Sequence, residues 1–232
     1  MKNVLAILCL LALGQVTMQA QKTLRGTVEY TYTVKGDNSG MMSGMLPERM
    51  VVVYGDDAML TYMEGGMMAS MMGKIIVNGG ESYIVKEDQK TIYEMSEEDI
   101  NSAEEQQKEQ MGKAEKVEGQ TKEIKGYPCQ LYEVEVNQNG QTGKQKIWVT
   151  EKLKAPEIKG SGASAMNQGL MGANNVPGFP MEVEVEIPQA NMTMVLSVNE
   201  ITLEKPDPAI FKKPEGFEVK PFSEMMNMMG GN

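Results

Sequence analysis

The chain contains no histidine. That absence excludes serine–histidine and cysteine–histidine nucleophile pairs, histidine general bases and most zinc or iron sites, all of which rely on imidazole. Cysteine is scarce too. Cys9 and Cys129 are the two present, and Cys9 falls in a leader expected to be removed. Cys129 then stands alone, so no internal disulfide can form and the fold must rest on its core. Cys129 reads as a buried small hydrophobe or as half of an intermolecular bridge. Basic charge is in the minority, with 22 Lys and Arg against 32 Asp and Glu and a formal net charge of −10. Such a balance, with no basic patch, repels phosphate backbones and excludes nucleic acid as a partner. Long apolar runs are missing. The run from Val4 to Leu13 is too short for a stable bilayer-spanning helix, and no later stretch reaches that scale. The mature chain is therefore not expected to span a membrane.

What is present begins with an export signal. Lys2 supplies a positive start, Val4 to Leu13 an apolar middle, and Gln15 to Ala20 a more polar end closing on a small residue. Residues 1–20 are therefore expected to be a signal peptide, cleaved near Ala20, with a periplasmic destination. Leu8 stands before Cys9 where lipidation needs a small residue, which argues against a lipid anchor there. The remaining length suits one domain able to bury about 70% of its unfolded surface. Residues 21–222 are expected to form that domain, and 223–232 a flexible tail rich in Met and Gly.

Strand patterns dominate. Val28, Tyr30, Tyr32 and Val34 alternate with polar residues, as do Met181, Val183, Val185 and Ile187 with Glu182, Glu184 and Glu186. Period-two alternation of β-branched and aromatic residues predicts half-buried strands. Met192, Met194, Leu196 and Val198 form another stripe, and the phase shift to Ile201 and Leu203 predicts a bulge near Asn199. Short turns at 55–57, 78–80 and 87–89 join strands over 49–54, 59–63, 74–77, 82–85 and 91–95 into a meander. Another pair, 130–136 and 144–150, surrounds Asn139-Gly140. About ten strands result, too many for a flat open sheet. Helix is sparse: Ser96 and Asp99 form a capping box that opens a polar surface helix to about Gln110. A long connection over 163–180 has the length of a lid or binding loop.

Lys125-Gly126-Tyr127-Pro128-Cys129-Gln130-Leu131-Tyr132, followed by Ile147-Trp148-Val149-Thr150, resembles the Ile-x-Gly-Tyr-x-Cys … Trp-Val-Thr pattern of an exported family. That family is catalogued as a domain of unknown function (number 4412). Phe211-Lys212-Lys213-Pro214-Glu215-Gly216-Phe217 resembles its closing Phe-x-x-Pro-x-Gly-Tyr, with Phe217 for Tyr, and Thr91 to Met95 fits as well. The resemblance spans most of residues 25 to 222. Such proteins are similar to periplasmic lipoprotein carriers of the LolA and LppX type. The resemblance implies a mostly β fold: a strongly curved antiparallel sheet, or half-open β-barrel, with one or two helices over an apolar concave side. It implies an apolar cargo or lipid tail and no catalytic residue. The acidic charge and the methionine excess depart from that pattern.

The candidate ligand-binding residues are Val28, Tyr30, Tyr32, Met181, Val183, Val185, Met192 and Met194 as lining, with Met166 and Leu170 as lid contacts. The partner expected is an apolar small molecule or lipid, or a lipoprotein acyl chain. No catalytic residue, metal ligand or cofactor is assigned. Eleven of the 23 methionines cluster at 41–45, 67–72 and 225–229. They read as loop and tail residues, as an adaptable apolar surface, or as a Cu(I) site, since thioether sulfur is a soft ligand. An envelope docking role is a further alternative. Trp148 either floors a cavity or packs under the Ser96 helix, and the Glu182, Glu184, Glu186 row is a solvated outer face in preference to a cation site.

Overall fold

The computed structural model describes residues 21–36, 40, 44–138, 141–158, 176–187 and 191–229. The expected signal peptide and the lid residues Met166 and Leu170 lie outside them. In chain order the strands are β1 Lys22–Thr23, β2 Gly26–Gly36, β3 Arg49–Tyr54, β4 Ala58–Glu64, β5 Lys74–Asn78, β6 Glu81–Lys86 and β7 Thr91–Met95. They continue as β8 Met111–Ile124, β9 Tyr127–Gln138, β10 Gln141–Thr150, β11 Leu153–Lys154, β12 Phe179–Ile187, β13 Met192–Thr202 and β14 Glu218–Pro221. Three helices, α1 Gly66–Met72, α2 Glu97–Gln110 and α3 Phe222–Met229, complete the described elements with a 3-10 turn at Pro208–Phe211.

Twelve strands make one sheet in the order β14-β7-β6-β5-β4-β3-β2-β13-β12-β10-β9-β8, while β1 and β11 pair separately in parallel. The sheet is antiparallel except at β14, which joins β7 in parallel. The expected hairpins and the capping box are all found. The Ser96 amide donates to the Asp99 carboxylate at 2.8 Å, and the Asp99 amide donates back to the Ser96 hydroxyl at 3.1 Å. The bulge expected near Asn199 lies between Val198 and Glu200. A second register slip follows Trp148, where Val149 pairs with Pro180. Proline has no amide hydrogen to give the ladder, so a slip there costs least.

Strong curvature follows from one ring contact. Tyr54 on β3 and Phe179 on β12 are separated by β2 and β13, about 14 Å across a flat sheet at ordinary strand spacing. Their ring centroids are 6.1 Å apart, edge to face. The sheet must curl toward that face, which is therefore the inner one. Tyr30 reinforces the curl, its hydroxyl donating across to the Pro180 carbonyl at 3.1 Å. The edges β14 and β8 are not paired with each other, so the curl stops short of a barrel.

The two halves of the sheet are covered differently. On β2 and β12 buried and partly exposed residues alternate, as one covered face requires,. On β3, β5 and β6 every second residue is not spared: Met50 to Tyr54, Ile75 to Val77 and Ser82 to Lys86 are buried continuously. The cause is the C-terminal segment. Phe211 packs on the outer face against Val51, Val53, Leu60, Ile76, Tyr83 and Val85. Its carbonyl accepts from the Tyr83 hydroxyl at 2.7 Å and from Asn78 Nδ2 at 3.2 Å. The chain then runs along the edge as β14 and returns as α3 on the inner face, where Met225 and Phe222 meet Ile75, Ile84 and Tyr93. This corrects the expectation of a flexible tail from residue 223, because Met225 is buried there. Phe222 and Met225 are three apart, close enough on a helix to cover one patch.

Candidate functional site

The lining residues expected from the sequence fall on three adjacent strands and one face. Val28, Tyr30 and Tyr32 on β2 oppose Ile201, Val198 and Leu196 on β13. Met194 lies between Val34 and Val185, and Met192 between Gly36 and Ile187. Val183 opposes Leu196 on one side and Ile147 on the other. Directly opposed residues of antiparallel strands share a face, and Val28, Tyr30, Met181 and Val183 belong to the same core cluster as Tyr54 and Phe179. These residues therefore line the inner side of the curl.

They divide into two groups by exposure. Val28, Tyr30 and Met181 are completely buried, and Val183 and Met192 nearly so. They are packed core rather than free surface. The strands are long enough, however, to carry the same stripe past that plug. Tyr32, Val34, Val185 and Met194 are half-buried, as is Met63 near the end of β4, which opposes Met50. Val34 and Met63 were not among the residues assigned as lining. The alternation that contains Tyr32 already runs through Val34, whereas no alternation marks Met63, which its pairing with Met50 places there.

The tyrosines of the inner stripe are held in their neutral form. Burial, with Tyr54 close by, holds the Tyr30 phenol well above its ordinary pKa, and burial pushes Tyr32 up to about 12. The Tyr32 hydroxyl points to the Met50 sulfur at 3.9 Å. Cys129 is buried, its thiol donates to the Tyr127 carbonyl at 3.3 Å, and burial raises it to about 11.

Over the neighbouring strands of the same face lies α1, which leaves β4 through Gly65 and Gly66. Gly66 has φ 66°, and a Cβ there would stand 2.0 Å from the Leu46 carbonyl oxygen. At the other end Gly73 closes the helix at φ 73°, with no room for a Cβ beside the Val85 carbonyl. The Lys86 ammonium, on a largely buried side chain, donates to the carbonyls of Ser70 at 2.5 Å and Met71 at 3.1 Å. Those are helix-end carbonyls without partners of their own, and a cation there also suits the helix dipole. Met72 packs on the patch formed by Ile75, Ile84 and Tyr93, the patch that α3 also covers. Nothing in the sequence announced Lys86, because the helix it caps ends fourteen residues earlier and only the β5–β6 hairpin brings the two together.

The outer face is polar over the other half of the sheet. Glu182 pairs with Lys122 at 2.5 Å and accepts from Ser197 at 2.9 Å, and Glu186 lies 3.9 Å from Lys146. Two of the three glutamates are thus paired with lysines, Glu186 with one on the adjacent β10 and Glu182 with one on β8. Among the described residues no group of three or more Asp, Glu or Cys is placed to hold a metal ion. Trp148 lies on this outer side with the Lys122 ammonium 4.2 Å from its ring centroid, so it does not floor the hollow. No described helix is long and apolar enough to cross a membrane.

No curated protein matches the chain at a significant level. Among solved structures, an uncharacterized conserved protein from Thermus thermophilus is similar at 8% identity and a TM-score of 0.42, covering 85% of this chain and 91% of that one. Lipoprotein LppX from Mycobacterium tuberculosis is similar at 8% identity and a TM-score of 0.35, covering 78% and 90%. A LolA superfamily protein from Nitrosomonas europaea is similar at 12% identity and a TM-score of 0.32, covering 81% and 89%. Superpositions this loose transfer no function. The family model described as "Domain of unknown function (DUF4412)" matches residues 13–217, nearly the whole chain, and the protein belongs to that family.

Proposed function

We propose that the protein is an exported, non-enzymatic carrier that shelters an apolar guest, such as a lipid or a lipoprotein acyl chain, at the open end of the curled sheet. One observation supports this above the others. The apolar stripe of the inner face is sealed by its own side chains around Tyr30, Phe179 and Met181 but continues half-exposed through Tyr32, Val34, Met63, Val185 and Met194. A folded chain gains by burying such side chains, about 1.5–3 kcal/mol for each when burial is complete. Continuous apolar surface left part-covered marks a place for a partner. Methionine suits the task, since its flexible thioether adapts to a guest of irregular shape.

The test is native mass spectrometry of the mature protein after incubation with a total envelope lipid extract. A lipid adduct is expected on the wild type and none on the double variant Val34→Glu, Met194→Glu, which places carboxylates on the half-exposed stripe. Bare wild-type protein after repeated incubation, or an adduct equally abundant on the variant, would refute the assignment.

A further inference from the structure

Methionines distant in sequence meet beside the open end. Met67, Met68, Met71 and Met72 share α1, and at about 100° per residue the first three fall within one arc of about 100°. Met72 lies beyond that arc and turns to the core. The other three are exposed at 55%, 41% and 49%. The amides of Met67 and Met68 donate to the carbonyls of Gly44 and Met45 at 3.3 and 3.1 Å. That places Met45, itself 45% exposed, against the start of the helix.

Packing through Met72 accounts for only part of this helix. It buries none of its residues and has no side-chain cap at its start. Seven residues do not hold a helix by propensity alone. It is held by the Lys86 ammonium beneath its last carbonyls and by Met72, which leaves three thioethers facing water without a core to serve.

We propose that Met67, Met68 and Met71, with Met45 as a fourth donor, form a thioether site for a soft monovalent cation, Cu(I) or Ag(I). Thioether sulfur is neutral and polarizable, so it favours soft monovalent ions and refuses hard divalent ones, which need oxygen anions. Residues three and four apart on a helix are neighbours, and each methionine has three rotatable bonds with which to converge. No donor needs to lose a proton, so binding does not weaken in mild acid as it does at thiolate or imidazole sites. The net charge of −10 favours approach of a cation,. The site is independent of the carrier assignment and stands or falls separately.

The experiment is an anaerobic Cu(I) titration of the mature protein against a chromogenic chelator, with copper-edge X-ray absorption on the loaded wild type. One equivalent is expected, bound at roughly micromolar Kd or tighter, in a shell of sulfur alone. Met67→Leu, Met68→Leu and Met71→Leu together should weaken binding at least about tenfold, while Met226→Leu with Met228→Leu should leave it unchanged. Leucine keeps the volume and the apolar character, so the fold is retained. A triple variant that binds like the wild type, loss caused instead by the Met226 and Met228 changes, a shell containing oxygen or nitrogen, or wild-type binding weaker than micromolar would each overturn the proposal. The absorption measurement decides on the wild type alone, whatever the folding of the variants.

Discussion

The hydroxyl of Tyr83 donates to the carbonyl of Phe211 at 2.7 Å, joining β6, third from the β14 edge, to a segment 128 residues later. With the Phe211 ring packed on the outer face, this bond fixes where the C-terminal segment crosses the sheet. Lys213 follows at once, its ammonium 5.3 Å from the Tyr83 ring centroid and paired with Glu94 at 2.6 Å and Glu81 at 2.9 Å.

Tyr83→Phe keeps the ring and removes the donor. The Phe211 carbonyl retains Asn78 Nδ2, so the loss should be about 1 kcal/mol. Phe211→Ala opens the outer-face cluster and should cost about 3–5 kcal/mol. Urea unfolding of both variants checks the ranking, and equal effects would contradict it.

Lys86→Met removes the charged donor from two helix-end carbonyls while keeping an apolar stem of similar length. Hydrogen bonds to a charged group are worth about 1.5–3 kcal/mol, and here the loss should fall on α1. Amide hydrogen exchange at residues 67–73 is expected to accelerate far more than exchange in β3 or β5. Uniform acceleration across the sheet would mean that Lys86 supports the core and not the helix.

Alkaline destabilisation follows from Tyr32 and Tyr83, both raised by burial from 10.0 to about 12. The unfolded chain loses these protons first, so between pH 10 and about 12 it is favoured increasingly as pH rises. Stability present below pH 10 should decline across that window. Denaturant midpoints at pH 9 and pH 11 test this. Tyr83→Phe should flatten part of the decline, because phenylalanine has no proton to hold.

Cys129 should behave as an inert thiol. Its burial and its pKa of about 11 leave little thiolate at pH 8,. Reaction with a disulfide reagent is expected to be slow in the native protein and fast in denaturant. Rapid native labelling would show that this end of the sheet opens readily.

Much of this architecture was legible from side-chain order. Alternation of Val28, Tyr30 and Tyr32 against threonines and glutamate sets a strand and its inner face, because the pleat has a period of two wherever the strand lies. Ser96 and Asp99 start a helix through contacts three residues apart, and the phase change after Val198 records a bulge in its own register. The uninterrupted run Met50 to Tyr54 marks a strand covered on both sides, but not what covers it. Phe211 does so from the far end of the chain, and no local pattern encodes that distance.

Which residues of the inner stripe are sealed and which stay open was likewise beyond the reach of pattern. Tyr30 and Tyr32 are equivalent in alternation, yet the first lies against Pro180 and the second near the open end. That difference arises from the curl that brings β3 to β12, a sum of twists over four strands. The methionine clusters show the same division. Composition alone made them conspicuous, whereas the meeting of Met45 with Met67, Met68 and Met71 depends on the backbone bonds from α1 to Gly44 and Met45 and on Lys86 under the end of the helix. Short-range order thus determined the strands, the turns and the caps, since those depend on neighbours in the chain. Burial, curvature and the assembly of distant side chains were decided by the tertiary structure, because they depend on neighbours in space.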